Sequence, residues 1–156
     1  MPSKEFLTQQ QEQHIIDAIA RAERNTSAEI RVHIEHHCNG DALDRADAIF
    51  HDLGMDETEQ QNGVLIYIAS EDHKAAVYAG KGIHQQVEDG FWSDVLDILL
   101  NHFKKDEYEE GIEEAVQKIG VKLKERYPYQ RGDVNELSDE ISYNANQEEW
   151  DGKSEK

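Results

Sequence analysis

A single cysteine, Cys38, among 156 residues excludes an intramolecular disulfide and any paired-cysteine zinc or redox motif. No apolar run approaches the roughly 20 residues that span a bilayer. The opening M-P-S-K-E-F-L-T-Q-Q-Q also lacks the apolar core of a signal peptide. Direct membrane insertion is therefore not expected, and a cytoplasmic location is. Basic residues are scarce: 16 Lys and Arg stand against 34 Asp and Glu, a formal charge of −18. A chain so short of cations is a poor partner for nucleic acid or an anionic membrane, because displacing counterions requires Lys and Arg. The acidic excess is not confined to one end. Residues 1–128 hold 26 acidic and 13 basic side chains. Such a surface suits a divalent cation, and it also serves solubility alone.

What the chain does contain is patterned. Hydrophobic residues make up 37% of it, and 156 residues suffice for one domain with a single core. Thr8 followed by Gln11 has the spacing of a capping box, and Ile15, Ile16, Ile19 and Ala20 then recur at helical intervals. A helix over about 9–24 follows. Residues 28–35 alternate, with Ala28, Ile30, Val32 and Ile34 on one face and Glu29, Arg31, His33 and Glu35 on the other, as in a strand with one polar or partly exposed face. Asp41 and Asp44 open a second helix that Gly54 ends. Two Val/Ile/Tyr-rich runs, 64–69 and 75–79, are joined by Ser70-Glu71-Asp72-His73-Lys74 and predict a hairpin. Apolar stripes then predict amphipathic helices over 91–103 and 108–127, the last closed by Pro128.

Strand, helix and strand over 28–69 make a β-α-β unit whose strands are parallel. With helices before and after the sheet, the expected architecture is a Rossmann-like three-layer α/β/α sandwich. Its sheet would be mixed but mainly parallel, with one antiparallel hairpin. Residues 1–128 form the expected domain. Residues 129–143 are a segment that Val134, Leu137 and Ile141 would dock, and 144–156 are an expected disordered polar tail.

Several short pieces recur in a specific order: Ala28-Glu29-Ile30, Ile49-Phe50 with Leu53-Gly54, and Asn62-Gly63-Val64-Leu65. Asp72, Gly80-x-Gly82-Ile83 and Asp89 follow, and then Phe103-Lys104-Lys105-Asp106-Glu107-Tyr108-x-x-Gly111-Ile112. In this order and spacing the chain resembles the TPM domain, a family named after a thylakoid lumen protein, a photosystem II repair factor and a nematode receptor-accessory protein. The resemblance runs from Ser27 to about Leu123. It implies a Rossmann-like α/β/α fold, binding of a divalent cation, Ca2+ in particular, and acid phosphatase activity as in plant relatives. The chain departs from the family pattern at Gln61 and His84, where the pattern favours an acid.

The strand directions assemble one end of the sheet from Glu29, from Gln61-Asn62 and from Gly80-Lys81-Gly82. The loop 55–61 adds Asp56, Glu57 and Glu59 there, and Asp89 can return to it. Carboxylate and amide oxygens in a loop-built cleft suit a hard cation. The candidate ligands of Ca2+ or Mg2+ are Glu29, Asp56, Glu59, Asn62 and Asp89. Asp89 is also the candidate base should a metal-polarised phosphoryl group be attacked by water. Gly80, Lys81 and Gly82 are a candidate anion-binding loop, although a Gly-x-Gly after a hairpin strand lacks the context of a dinucleotide fingerprint. His36-His37-Cys38 reads as a loop at the opposite end. The reading favours a cation-binding TPM-domain protein with weak or absent phosphatase activity. Its alternatives are a non-enzymatic protein-protein interaction module and a metal-dependent acid phosphatase.

Overall fold

The computed structural model describes residues 7–57, 62–85, 87–128 and 141–144. Helix α1 (Gln9–Glu23) starts as its sequence dictates. Thr8 Oγ1 accepts from the Gln11 amide at 3.0 Å, and the Gln11 side chain accepts from the Thr8 amide at 2.9 Å. Each bond satisfies a donor that the first helical turn leaves without a partner. Strand β1 (Glu29–Glu35) leads through α2 (Ala42–Asp52) and a 3-10 turn at Met55–Glu57 to β2 (Gly63–Ala69). Gly54, with φ of 75°, takes the left-handed position that ends α2. Strand β3 (Lys74–Ala79) is followed by α3 (Lys81–His84), α4 (Asp89–Phe103), α5 (Tyr108–Arg126) and a short β4 (Ser142–Asn144).

The strands lie in the order β3-β2-β1-β4. β1 and β2 run parallel with Glu29 opposite Gly63, β2 and β3 run antiparallel, and β4 adds three parallel pairs to the other edge of β1. Alternation along the strands divides the interior. Ile30, Val32, Ile34, Val64, Ile66 and Ile68 face α1, α4 and α5, while Leu65 and Tyr67 face α2 and Met55.

This arrangement corrects the expected Rossmann-like, mainly parallel three-layer sandwich. Such folds repeat β-α-β units that keep strands parallel and wind helices over both faces. Here β1-α2-β2 is one such unit, and the next connection, residues 70–73, is far too short for a parallel crossover, which needs a dozen residues or more. The two long ladders therefore have opposite senses, with seven residue pairs in one and six in the other. The helices are also unevenly shared: α1, α4 and α5 pack on one face, and α2 with its 3-10 turn on the other. The chain is an α/β domain on a small mixed sheet.

The polar face of β1 departs from expectation too. Glu29, His33 and Glu35 are all buried. Arg45 of α2 explains this for Glu35, donating from Nε at 2.8 Å and from Nη2 at 2.9 Å, and the Tyr67 hydroxyl donates to the same carboxylate. A buried carboxylate costs several kcal/mol unless it is paired in this way. Next to it, His33 Nδ1 lies 2.7 Å from Ser142 Oγ, which donates to the Val32 carbonyl and fixes β4 to the sheet edge.

Two glycines let the helices on the larger face approach one another. A Cβ at Gly111 would sit 2.8 Å from His102 Cβ of α4, and one at Gly120 would sit 2.8 Å from Ala22 Cβ of α1. Of the expected docking segment 129–143, residues 141–143 are described. The expected tail 144–156 lies outside the described residues except for Asn144. No helix among the described residues is long and apolar enough to cross a membrane.

Candidate functional site

Strand pairing brings several of the expected residues to one end of the sheet. Glu29 lies opposite Gly63, its amide donates to the Asn62 carbonyl at 3.4 Å, and the Gly80 amide donates to the Gly63 carbonyl at 2.8 Å. Glu29 and Asn62 are buried, 5% and 2% exposed. Gly63 has no room for a side chain without displacing Met55, whose Cε lies 3.2 Å from where a Cβ would stand. Gly80 precedes the four-residue helix α3, Lys81 opens it, and the Gly82 carbonyl accepts from the Tyr127 hydroxyl at 2.8 Å. Asp56 sits in the 3-10 turn 3.7 Å from His51 Nε2, and Asp89 is an exposed first residue of α4. Glu59 lies outside the described residues. Among the described residues, neither Glu29, Asp56 nor Asp89 belongs to a group of three His, Cys, Asp or Glu ligands gathered within 4.8 Å.

At the opposite end, Asp72 accepts from the Cys38 amide at 2.7 Å and lies 3.2 Å from His37 Nδ1. Those two bonds hold the Asp72 carboxyl below its usual range. The His36-His37-Cys38 loop and the hairpin turn thus tie to one another, as structural partners.

One group among the described residues does have the geometry of a metal site. His14 on α1 and Glu109 and Glu113 on α5 each offer a ligand atom, and the three lie within 4.8 Å of one another. The helices place them by simple spacing. Glu109 and Glu113 stand at i and i+4, hence on one face of α5, and α1 packs along that face. His14 Nδ1 is 2.7 Å from Glu109 Oε2. The two carboxyls are perturbed in opposite directions. Burial, then the hydrogen bond and negative charge of Glu109, push Glu113 up. In Glu109, burial acts upward, but the bonds from Glu113 and His14 outweigh it and hold the group down. The opposed shifts are those of two like charges held close together, a repulsion that a divalent cation between them would offset.

The donor set bears on which ion fits. Ca2+ and Mg2+ favour all-oxygen shells, whereas an imidazole with two carboxylates suits Mn2+, Zn2+ and neighbouring first-row ions. Three protein ligands leave at least one coordination position open. Beside the cluster, α1 and α5 line a half-open surface cavity of about 340 Å3 with Glu113 in its wall. The spacing of Glu109 and Glu113 is legible in the sequence. The approach of His14 is not, because it depends on α1 crossing α5.

The family model described as the TPM domain matches residues 2–122. Among solved structures, the fold is similar to that of the BA42 protein from the psychrophilic bacterium Bizionia argentinensis, with 43% identity and a TM-score of 0.82, covering 88% of this chain and 94% of that one. It is also similar to the N-terminal domain of a protein from P. gingivalis, with 20% identity and a TM-score of 0.63 over 81% of this chain and 83% of that one. A third similar structure is the N-terminal domain of the cg2496 protein from Corynebacterium glutamicum, with 13% identity and a TM-score of 0.61 over 75% and 74% of the two chains. The last two show likeness of fold alone. No curated protein matches the chain.

Proposed function

Because the chain belongs to the TPM domain family, we propose that it is a divalent-cation-binding protein whose ion is held by His14, Glu109 and Glu113. The observation that carries this reading is the meeting of an imidazole and two carboxylates from two helices within 4.8 Å. The ion belongs to the Mn2+ and Zn2+ class, since Ca2+ and Mg2+ make little use of imidazole. Phosphatase activity is weak or absent, and the protein works in the cytoplasm. Calorimetric titration with Mn2+ tests the reading. His14→Ala and Glu113→Gln should each weaken binding at least about tenfold, or roughly 1.4 kcal/mol. Equal affinity in wild type and both variants would remove the cluster from consideration.

A second reading puts Ca2+ or Mg2+ at the sheet end, on Glu29, Asp56, Glu59, Asn62 and Asp89. The burial of Glu29 next to Asn62 favours it. In that case Asp89→Asn weakens Ca2+ binding and His14→Ala leaves it unchanged. Any hydrolysis of a generic phosphomonoester that depends on metal should also disappear in Asp89→Asn if Asp89 is the base.

A further inference from the structure

Strand β3 stands at the end of the strand order, so among the described residues one of its two backbone edges has no neighbouring strand. The register says which groups lie on that edge. The Gly80 amide donates to the Gly63 carbonyl, and hydrogen-bonded pairs recur at every second residue of an antiparallel ladder. Tyr78, Ala76 and Lys74 therefore turn their N–H and C=O groups toward Leu65, Tyr67 and Ala69 of β2. Ala75, Val77 and Ala79 turn theirs outward. Ala79 is buried, while Ala75 and Val77 are half-buried. Among the described residues, no backbone group outside the sheet bonds to either of these two. The devices that protect exposed edges are also missing here. β3 has no proline and pairs with β2 residue for residue, without a bulge. Its one charged side chain, Lys74, is turned to the 36–40 loop, where Nζ donates to the Cys38 and Gly40 carbonyls at 3.1 and 2.9 Å.

We propose that the outer edge of β3 at Ala75–Val77 is a docking site for an extended, basic segment of a partner protein, which adds one more strand to the sheet. The outward N–H and C=O groups of Ala75 and Val77 can be satisfied together only by another extended backbone, the mode of strand addition. Charge selects the partner. On one side of β3, Asp47 and Asp56 flank His51, and its neighbour Phe50 packs on Tyr78 with ring centroids 4.9 Å apart. On the other side, α4 packs on the strand and exposes Asp94 and Asp97, and the hairpin turn exposes Glu71. Lys and Arg on an incoming strand complement these acids. A second copy of the chain would instead bring the same acids and a further charge of −18, which opposes self-pairing. Docking at this edge requires no metal ion.

The probe is a capped heptapeptide of alternating Lys and Val, titrated into the full chain and followed by residue-resolved NMR. Saturation should shift the amides of Ala75 and Val77 and slow their hydrogen exchange at least about tenfold. The amides of Ala76 and Tyr78, already bonded to β2, should change little. The same peptide with Glu in place of Lys should bind at least about tenfold more weakly, and so should the Lys peptide N-methylated at every backbone amide. N-methylation keeps the charge and removes the donors, and its comparison is made on the wild-type protein. Ala75→Pro removes one outward donor and no bond to β2, a change that edge strands tolerate, and should weaken binding about tenfold. Equal binding of the N-methylated peptide would reduce the contact to charge attraction and overturn the proposal, as would absence of binding. Protection of the Ala75 and Val77 amides in the free protein that grows with its concentration would show a second copy on the edge, and would overturn it too.

Discussion

Replacing Gly120 with Ala sets two effects of known sign against each other. In a helix interior, Ala is favoured over Gly by about 1 kcal/mol. Acting alone, that would stabilise the protein. The new methyl, however, would lie 2.8 Å from Ala22 Cβ, with Ala22 Cα also at 3.5 Å. Ordinary carbon contacts lie at about 3.5–4.0 Å, and a β-carbon cannot swing aside, so α1 and α5 must part by roughly 1 Å. That movement loosens contacts of the fully buried Ile15, Ile19, Val116 and Ile119. Overpacking of this kind costs about 1–3 kcal/mol. The net expectation is a loss of up to about 2 kcal/mol, or a melting temperature lowered by roughly 2–4 °C per kcal/mol. Because the helices that part also carry His14 and Glu113, Mn2+ affinity should fall with stability, ligand distances tolerating only about 0.2 Å. Urea unfolding of the wild type, Gly120→Ala, Ala22→Gly and the double variant separates the terms. Removing the Ala22 methyl should rescue Gly120→Ala and give a coupling energy of about 1–3 kcal/mol. A Gly120→Ala protein more stable than wild type by about 1 kcal/mol would refute the argument, showing that helix propensity alone decides at this crossing.

Arg45→Ala strands a fully buried Glu35 carboxylate and should cost about 3–5 kcal/mol in chemical denaturation. Burial works to raise the Glu35 carboxyl, but bonds from Arg45, His33 and Tyr67 outweigh it and hold the group at about 2, against 4.5 when unfolded. Its stabilising contribution is therefore complete above pH 4.5 and is lost as pH falls toward 2; Glu35→Gln should flatten that acid limb of the stability profile. His102, raised by Glu114 and then Glu107, behaves in the opposite sense: its contribution is complete below its unfolded value of 6.5 and fades as pH rises through the higher folded value. In His102→Gln that alkaline-side decline should disappear from a thermal-melt series. Mn2+ at a hundredfold excess over its dissociation constant should stabilise the wild type by about 2.7 kcal/mol, an effect that His14→Ala cuts to about 1.4 kcal/mol or less at the same concentration and that NaCl of equal ionic strength does not reproduce.

Local chemistry made much of the chain legible. The Thr8–Gln11 box, the 28–35 alternation and the polar link between two apolar runs each specify an element through interactions within a few residues. The sequence stops short where distant partners decide. Glu35 and His33 read as an exposed polar face because nothing local announces that Arg45 and Tyr67 will bury and satisfy them. The architecture differs from the Rossmann-like expectation for a related reason. The single β-α-β unit and the hairpin are legible locally, but nothing local says that no further β-α-β unit extends the parallel sheet or that α1, α4 and α5 gather on one face. Strand directions did identify the sheet end where Glu29, Asn62, Gly63 and Gly80 meet. The His14 cluster joins side chains 95 residues apart along the chain, and its existence depends on the α1–α5 crossing that Gly120 permits.

Residue-resolved NMR during a Mn2+ titration tests the central claim most directly, because paramagnetic broadening marks the ion's position. The earliest broadening should fall around His14, Glu109 and Glu113, spread next to Arg21 and Gln117, and be lost from those positions in His14→Ala. Earliest broadening centred on Glu29, Asn62, Gly80 and Asp89, unchanged in His14→Ala, would contradict it and place the ion at the end of the sheet.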